Sequence, residues 1–131
     1  MNKRTLLAII AIFISWSVLD FVIHGVLLQS TYEATASLWR PMEEMKMGLM
    51  YMVTLLLIVC FVLIYALLIS DKSVATGIKY GVLFGLGIGI SMGFGSYSYM
   101  PIPYTLAFTW FAGSLVQSIV AGAIVGAIVK P

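Results

Sequence analysis

Charge is what this 131-residue chain has least of: 9% of its residues are Asp, Glu, Lys or Arg, and the formal net charge is +2. So few ionisable groups provide neither the basic stripe that binds nucleic acid nor the polar shell that keeps a domain in water. The single cysteine, Cys60, excludes an intramolecular disulfide, and in the apolar run 55–68 it reads as a small hydrophobe. With one histidine, His24, and no Cys-x-x-Cys or His-x-x-His spacing, a paired-thiol metal site and a bis-histidine haem within one chain are excluded. No nucleophile triad or phosphate-binding loop is present either, so the expectation is a protein that is not an enzyme.

What the chain has instead is apolar length. Hydrophobic residues make up 62% of it, and the mean hydropathy is +1.09. A bilayer core demands about 20 apolar residues per helix, so the chain accommodates four spans. The expected fold is all-α: an integral membrane four-helix bundle forming a single domain over 1–131, with spans near 5–28, 41–70, 80–99 and 105–129. The basic start resembles a secretory leader. Its apolar run continues past Trp16 to Leu28 with no small-x-small site, which reads as a retained first span.

Lys3, Arg4, Lys72, Lys79 and Lys130 fall on one side of such a bundle, and Arg40 and Lys46 on the other. By the positive-inside rule both termini are cytoplasmic. Tyr32, Trp39, Tyr51, Tyr97, Tyr99, Tyr104 and Trp110 then form a dense outer belt. The outer loop from Gln29 to about Met45 opens with Ser30-Thr-Tyr-Glu33, which fits a capping box. Ala34 to Trp39 suits a short interfacial helix anchored by Trp39. Pro41, followed by Glu43 and Glu44, suits the first turn of span two. Glu33, Arg40, Glu43 and Glu44 read as caps and a solvated rim. A sharper reading folds Arg40 back to Asp20 or Glu43.

Small residues recur at four-residue spacing: Gly81, Gly85, Gly89 and Gly93 in span three, and Ser114, Ser118, Gly122 and Gly126 in span four. Such faces let helices approach closely in lipid, so the two ladders are expected to face one another, with span three largely buried among the helices.

The polar exceptions carry the functional reading. Asp20 and His24 lie four residues apart on one helical face, joined by Ser17, about 22 and 28 Å along the first span. A carboxylate and an imidazole inside a span suit a proton relay, a cation site or a metal or haem site; equally, they suit a hydrogen-bonded lock between helices. Gln117 is the one amide of span four. Soft thioethers at Met45, Met50 and Met92 make copper conceivable with His24, although methionine is ordinarily a flexible packing residue.

The combination of Leu19-Asp20-Phe-Val-Ile-His24-Gly25-Val-Leu-Leu, Leu38-Trp39-Arg40-Pro41 and Met92-Gly-Phe-Gly-Ser-Tyr-Ser-Tyr-Met-Pro101 resembles a set of short, uncharacterised bacterial inner-membrane proteins of four helices. The resemblance implies a fold and a habitat, not an activity.

Three functions follow as expectations. The first is a non-catalytic subunit or assembly partner of a membrane complex, contacting lipid and another membrane protein or a second copy of itself. The second is a small transporter or ion/proton conduit using Asp20, His24 and Gln117. The third is a metal- or haem-binding redox module. The sequence requires no cofactor and offers nothing to nucleic acid.

Overall fold

A computed structural model describes residues 2–131, and among these there is no strand. Four helices are long and apolar enough to cross a membrane: α1 (Lys3–Leu27), α3 (Met47–Leu68), α4 (Val74–Tyr99) and α5 (Tyr104–Ile128). A short helix, α2 (Gln29–Ala34), stands in the connection after α1. That connection and the 100–103 turn lie at one end of the bundle, here the loop end. The described chain termini and the 69–73 link lie at the other.

Side-chain caps set the starts of α1 and α4. Asn2 caps α1, its side chain accepting from the Thr5 amide at 2.8 Å. Ser73 caps α4 in the same way, accepting from the Thr76 amide at 3.0 Å. This cap starts α4 at Val74, six residues ahead of the expected start of span three at 80, where 71–79 reads from its sequence as a short polar link. At the termini end Arg4 donates to the Ile128 carbonyl of α5 at 3.2 Å, supplying a cation to a helix C-terminus.

Span two begins later than its proline suggests. Pro41 has ψ 152° and Met45 has ψ 136°, so both are extended, and the 3₁₀ turn Met42–Glu44 between them does not join α3. The residues from Arg40 to Gly48 are exposed apart from the half-buried Met45, and a helical turn with no face to pack is marginal. Nor does a capping box form: α2 starts after Leu28 without a side-chain cap, and Glu33 accepts from Gln29 at 3.4 Å. Ala34 to Trp39 is not one helix. α2 ends at Ala34, and a 3₁₀ turn follows at Ala36–Leu38.

The most extensive helix pairing is α4 against α5. Gly77, Gly81, Gly85, Gly89 and Gly93 are the buried positions of α4. A methyl group added at Gly81 would strike the Ser118 carbonyl, and one at Gly77 the Gly122 carbonyl. Added at Gly89 it would come within 2.9 Å of the Phe111 carbonyl, and at Gly93 within 2.5 Å of that of Ala107. The α5 side of this contact is therefore Ala107, Phe111, Leu115, Ser118, Gly122 and Gly126. Ser114 is not part of it, because phase along α5 carries that residue to the next face. Nor is α4 buried all round. Its glycines meet one neighbour closely while Leu83, 70% exposed, and Ile90 face outwards.

Two apolar clusters fill the bundle. Towards the termini end Ile12, Ile58, Phe61, Val62, Tyr65 and Val125 are fully buried, with Trp16 above them. At the loop end a smaller cluster forms around Ile23, Leu28, Ile102 and Leu106.

Substitution tests the α4–α5 contact. Gly81→Ala should lower resistance to detergent-induced unfolding by about 1–3 kcal/mol, because its methyl meets rigid backbone. Gly87→Ala meets nothing within 4 Å and should be neutral or slightly stabilising. Unfolding by SDS titration, followed by circular dichroism, separates the two; equal losses would refute the close approach.

Candidate functional site

The two ends of the polar constellation are set by α1 and α5. α1 changes from α- to π-helical at Phe21, and the seven residues Phe21–Leu27 continue in that form. The Leu28 amide donates to the Ile23 carbonyl five residues back at 2.9 Å. α4 makes the same change at Ile90–Gly95. Such wide turns are uncommon and recur at functional sites.

Asp20 ends the α-helical part of α1. Its Oδ1 accepts from Gln117 Nε2 at 2.7 Å and lies 4.0 Å from His24 Nε2. The Gln117 backbone carbonyl accepts from Trp16 Nε1 at 2.8 Å. One turn of α5 therefore holds α1 twice, once by backbone and once by side chain. In an apolar surrounding both polar groups need such partners.

His24 is tied upwards rather than inwards. Its Nδ1 lies 2.7 Å from Tyr32 Oη, which also accepts from Trp110 Nε1 at 2.8 Å. With Trp110 donating, the tyrosine proton is free to donate to Nδ1, and the other ring nitrogen, Nε2, faces Asp20. Burial raises the Tyr32 phenol above its ordinary pKa; the Trp110 hydrogen bond works the other way, and Asp20 adds to the rise. Trp39 closes the group, edge-on to Tyr32 at 5.7 Å and to Trp110 at 6.0 Å, and donates from Nε1 to Thr35 Oγ1 at 2.9 Å.

Beneath this aromatic clasp, between the two apolar clusters, lies a cavity of about 220 Å³, open along one side. Asp20, His24, Gln117 and Ser114 contribute polar groups to its lining, and Trp16, Trp110 and Phe84 contribute aromatic walls. Thr54 and Val53 of α3 and Met92 of α4 are also in the lining.

The structure thus brings Asp20, His24 and Gln117 together and leaves other expected members apart. The Ser17 hydroxyl donates to the Phe13 carbonyl of its own helix at 2.8 Å, as a serine within a helix commonly does. Arg40 is exposed in the loop and is a partner of neither Asp20 nor Glu43, since the break at Pro41 carries it away from the bundle. Of the thioethers, Met92 shares the cavity with His24, whereas Met45 and Met50 do not line it. Among the described residues no group of three or more His, Cys, Asp or Glu side chains is placed to hold a metal ion. Tyr32, Trp110 and Trp16 were missed as site members. The available signal was that a buried indole N–H or phenol needs a partner; Trp16 also stands four residues before Asp20, on the same helical face.

The network makes its own prediction. Tyr32→Phe leaves the Trp110 N–H and His24 Nδ1 without their shared partner, and should cost about 1–3 kcal/mol in the same unfolding assay. It should also alter tryptophan emission. Ser17→Ala breaks only a bond within its own helix and should stay within about 0.5 kcal/mol of wild type. A larger loss for Ser17→Ala than for Tyr32→Phe would mean that the network is wrongly drawn.

Comparison with protein-family models, with curated proteins and with solved structures finds no match to this chain, so the functional reading rests on the residues themselves.

Proposed function

We propose that the protein is a small non-catalytic subunit or assembly partner of a membrane complex. It resides in a bacterial inner membrane with both termini cytoplasmic and the segment from α2 to Lys46 on the outer face. The orientation rests on the basic residues: Lys3, Arg4, Lys72, Lys79 and Lys130 gather at the termini end, against Arg40 and Lys46 at the loop end. With that orientation α2 and Trp39 lie at the outer interface.

One observation carries the partner reading. The loop-end half of α3 and the turn before it present Met42, Met47, Met50 and Met52, all exposed, with Met42 75% so. A purely lipid-facing surface is served by Leu, Ile and Val. Flexible, polarisable methionines suit a surface that adapts to another protein. The small-residue face of α4, by contrast, is taken up inside the chain by α5 and is no longer free for a partner.

A conduit using Asp20 and His24 finds less support. Below the cavity, towards the termini end, Trp16 sits above Ile12, Ile58, Phe61, Val62 and Val125, and the phenols there, Tyr65 and Tyr80, are tied to the Ser73 and Phe61 carbonyls. The non-catalytic reading rests on His24 being engaged by Tyr32 and having no nucleophile within its network.

Photocrosslinking residues placed at Met47 and Met50 should yield discrete protein adducts in native membranes. The same residue at Leu67, at the other end of α3, should yield lipid adducts alone. Lipid adducts at all three positions, together with a single-chain species after gentle solubilisation, would overturn the subunit reading.

A further inference from the structure

We propose that the cavity between the two apolar clusters is a binding site for a small organic cation: an ammonium group carried on an apolar or aromatic body. The inference is independent of whether the chain works within a complex.

Charge is the first argument. Asp20 is the only carboxylate in the lining, and no lysine or arginine joins it. Its Oδ1 is held by Gln117, while Oδ2 has no protein donor, and the side chain is 43% exposed. His24 makes no hydrogen bond to it: Nε2 is 4.0 Å from Oδ1, and Nδ1 is engaged by Tyr32. A carboxylate kept in an apolar surrounding with one oxygen unmatched calls for a positive partner.

The walls decide which kind of cation. Trp16, Trp110 and Phe84 line the same space, and aromatic rings attract cations through their negative faces. A divalent metal ion would demand several oxygen ligands, whereas this lining supplies one carboxylate and one amide, with the hydroxyls of Thr54 and Thr109 turned to carbonyls of their own helices and those of Ser114 and Ser118 carrying no charge. An anion meets repulsion from Asp20. A neutral hydrocarbon fits the walls but leaves the carboxylate as it was.

Size and access complete the description. An enclosed apolar cavity of about 150 Å³ takes a benzene ring, so one of about 220 Å³ takes a body of roughly nine or ten heavy atoms. The rim holds Val53 of α3 and Met92 of α4, 56% and 52% exposed. The ring contacts that close α3 on α4, Phe61 with Tyr80 at 4.5 Å and with Phe84 at 4.9 Å, lie nearer the termini end. The opening therefore faces the bilayer sideways, and the occupant arrives from the membrane. Independently, both π-helical stretches reach this wall, one through Ile23 and His24 and the other through Met92.

The test uses the full chain in nanodiscs of phosphatidylcholine, with tryptophan fluorescence as the readout because Trp16 and Trp110 line the site. Phenyltrimethylammonium is the probe, its charge permanent. tert-Butylbenzene is its neutral isostere, and benzenesulfonate is an anion of the same size. The expected result is a saturable change with the cation, at least about tenfold tighter than with either control. Asp20→Asn keeps an acceptor for Gln117 and should weaken the cation at least about tenfold. Ser114→Met fills the cavity with the carboxylate intact and should also abolish the response. Gel filtration and circular dichroism check the fold of both variants. If Asp20→Asn does not fold, Ser114→Met and the ligand comparison on wild type decide. No saturable response in wild type, equal binding of all three compounds, or wild-type affinity in either folded variant would overturn the proposal.

Discussion

The loop-end architecture depends on how closely the backbones of α4 and α5 meet. In lipid, helices gain no hydrophobic free energy by associating, so their attraction comes from many short contacts that a side chain in the wrong place abolishes. Here glycines at 77 and 81 face the carbonyls of Gly122 and Ser118 so nearly that no Cβ fits. Fixing one face of α5 against α4 fixes the rest of α5. Trp110, Gly113, Ser114 and Gln117, at helical spacing, turn together towards α1 and α3 and line the cavity. The polar site is thus a consequence of which residues of α5 the glycine face does not use.

The cavity persists because its neighbours are committed elsewhere. On the termini side, Trp16 is held by the Gln117 carbonyl and lies against Phe61, so it cannot swing up to fill the space. On the loop side, Trp110 donates to Tyr32 and stacks edge-on with Trp39. Both large side chains that could collapse inwards are anchored by their indole N–H groups. In a low-dielectric interior such bonds are costly to leave unmade, so the polar atoms keep the apolar walls in place.

The sequence made the four spans legible because each is a long apolar run that has no stable place in water. Asp20, His24 and Gln117 stood out because a polar side chain is conspicuous in such a run. Less was legible where a local signal competes with packing. Pro41 with Glu43 and Glu44 is a sound helix start in isolation, but the following turn has no face to pack and the helix waits until Met47. Ser73 is an ordinary N-cap, passed over because Asp71 to Lys79 is polar enough to read as a link. Spacing alone placed Ser114 in the ladder with Ser118, whereas the crossing of α4 over α5 brings Leu115 to that face instead, followed by Phe111 and Ala107. Tyr32 was invisible as a site residue because its partners, His24 and Trp110, are 8 and 78 residues away.

The subunit reading and the cavity meet at one residue. The methionine surface and the 29–46 segment lie at the loop end, and the cavity lies beneath. His24 lines the cavity through its imidazole and holds Tyr32, and through Tyr32 the Trp110–Trp39 stack, by Nδ1. A ligand shifts a neighbouring segment only by as much as it interacts differently with the two arrangements of that segment. A cation bound at Asp20 would act on His24 as well, because the imidazole Nε2 and the ligand's charge would face the same carboxylate. A change at His24 in turn alters the bond that holds α2. The cavity is joined to α2 through Tyr32, to which two residues of the lining, His24 and Trp110, are each hydrogen-bonded.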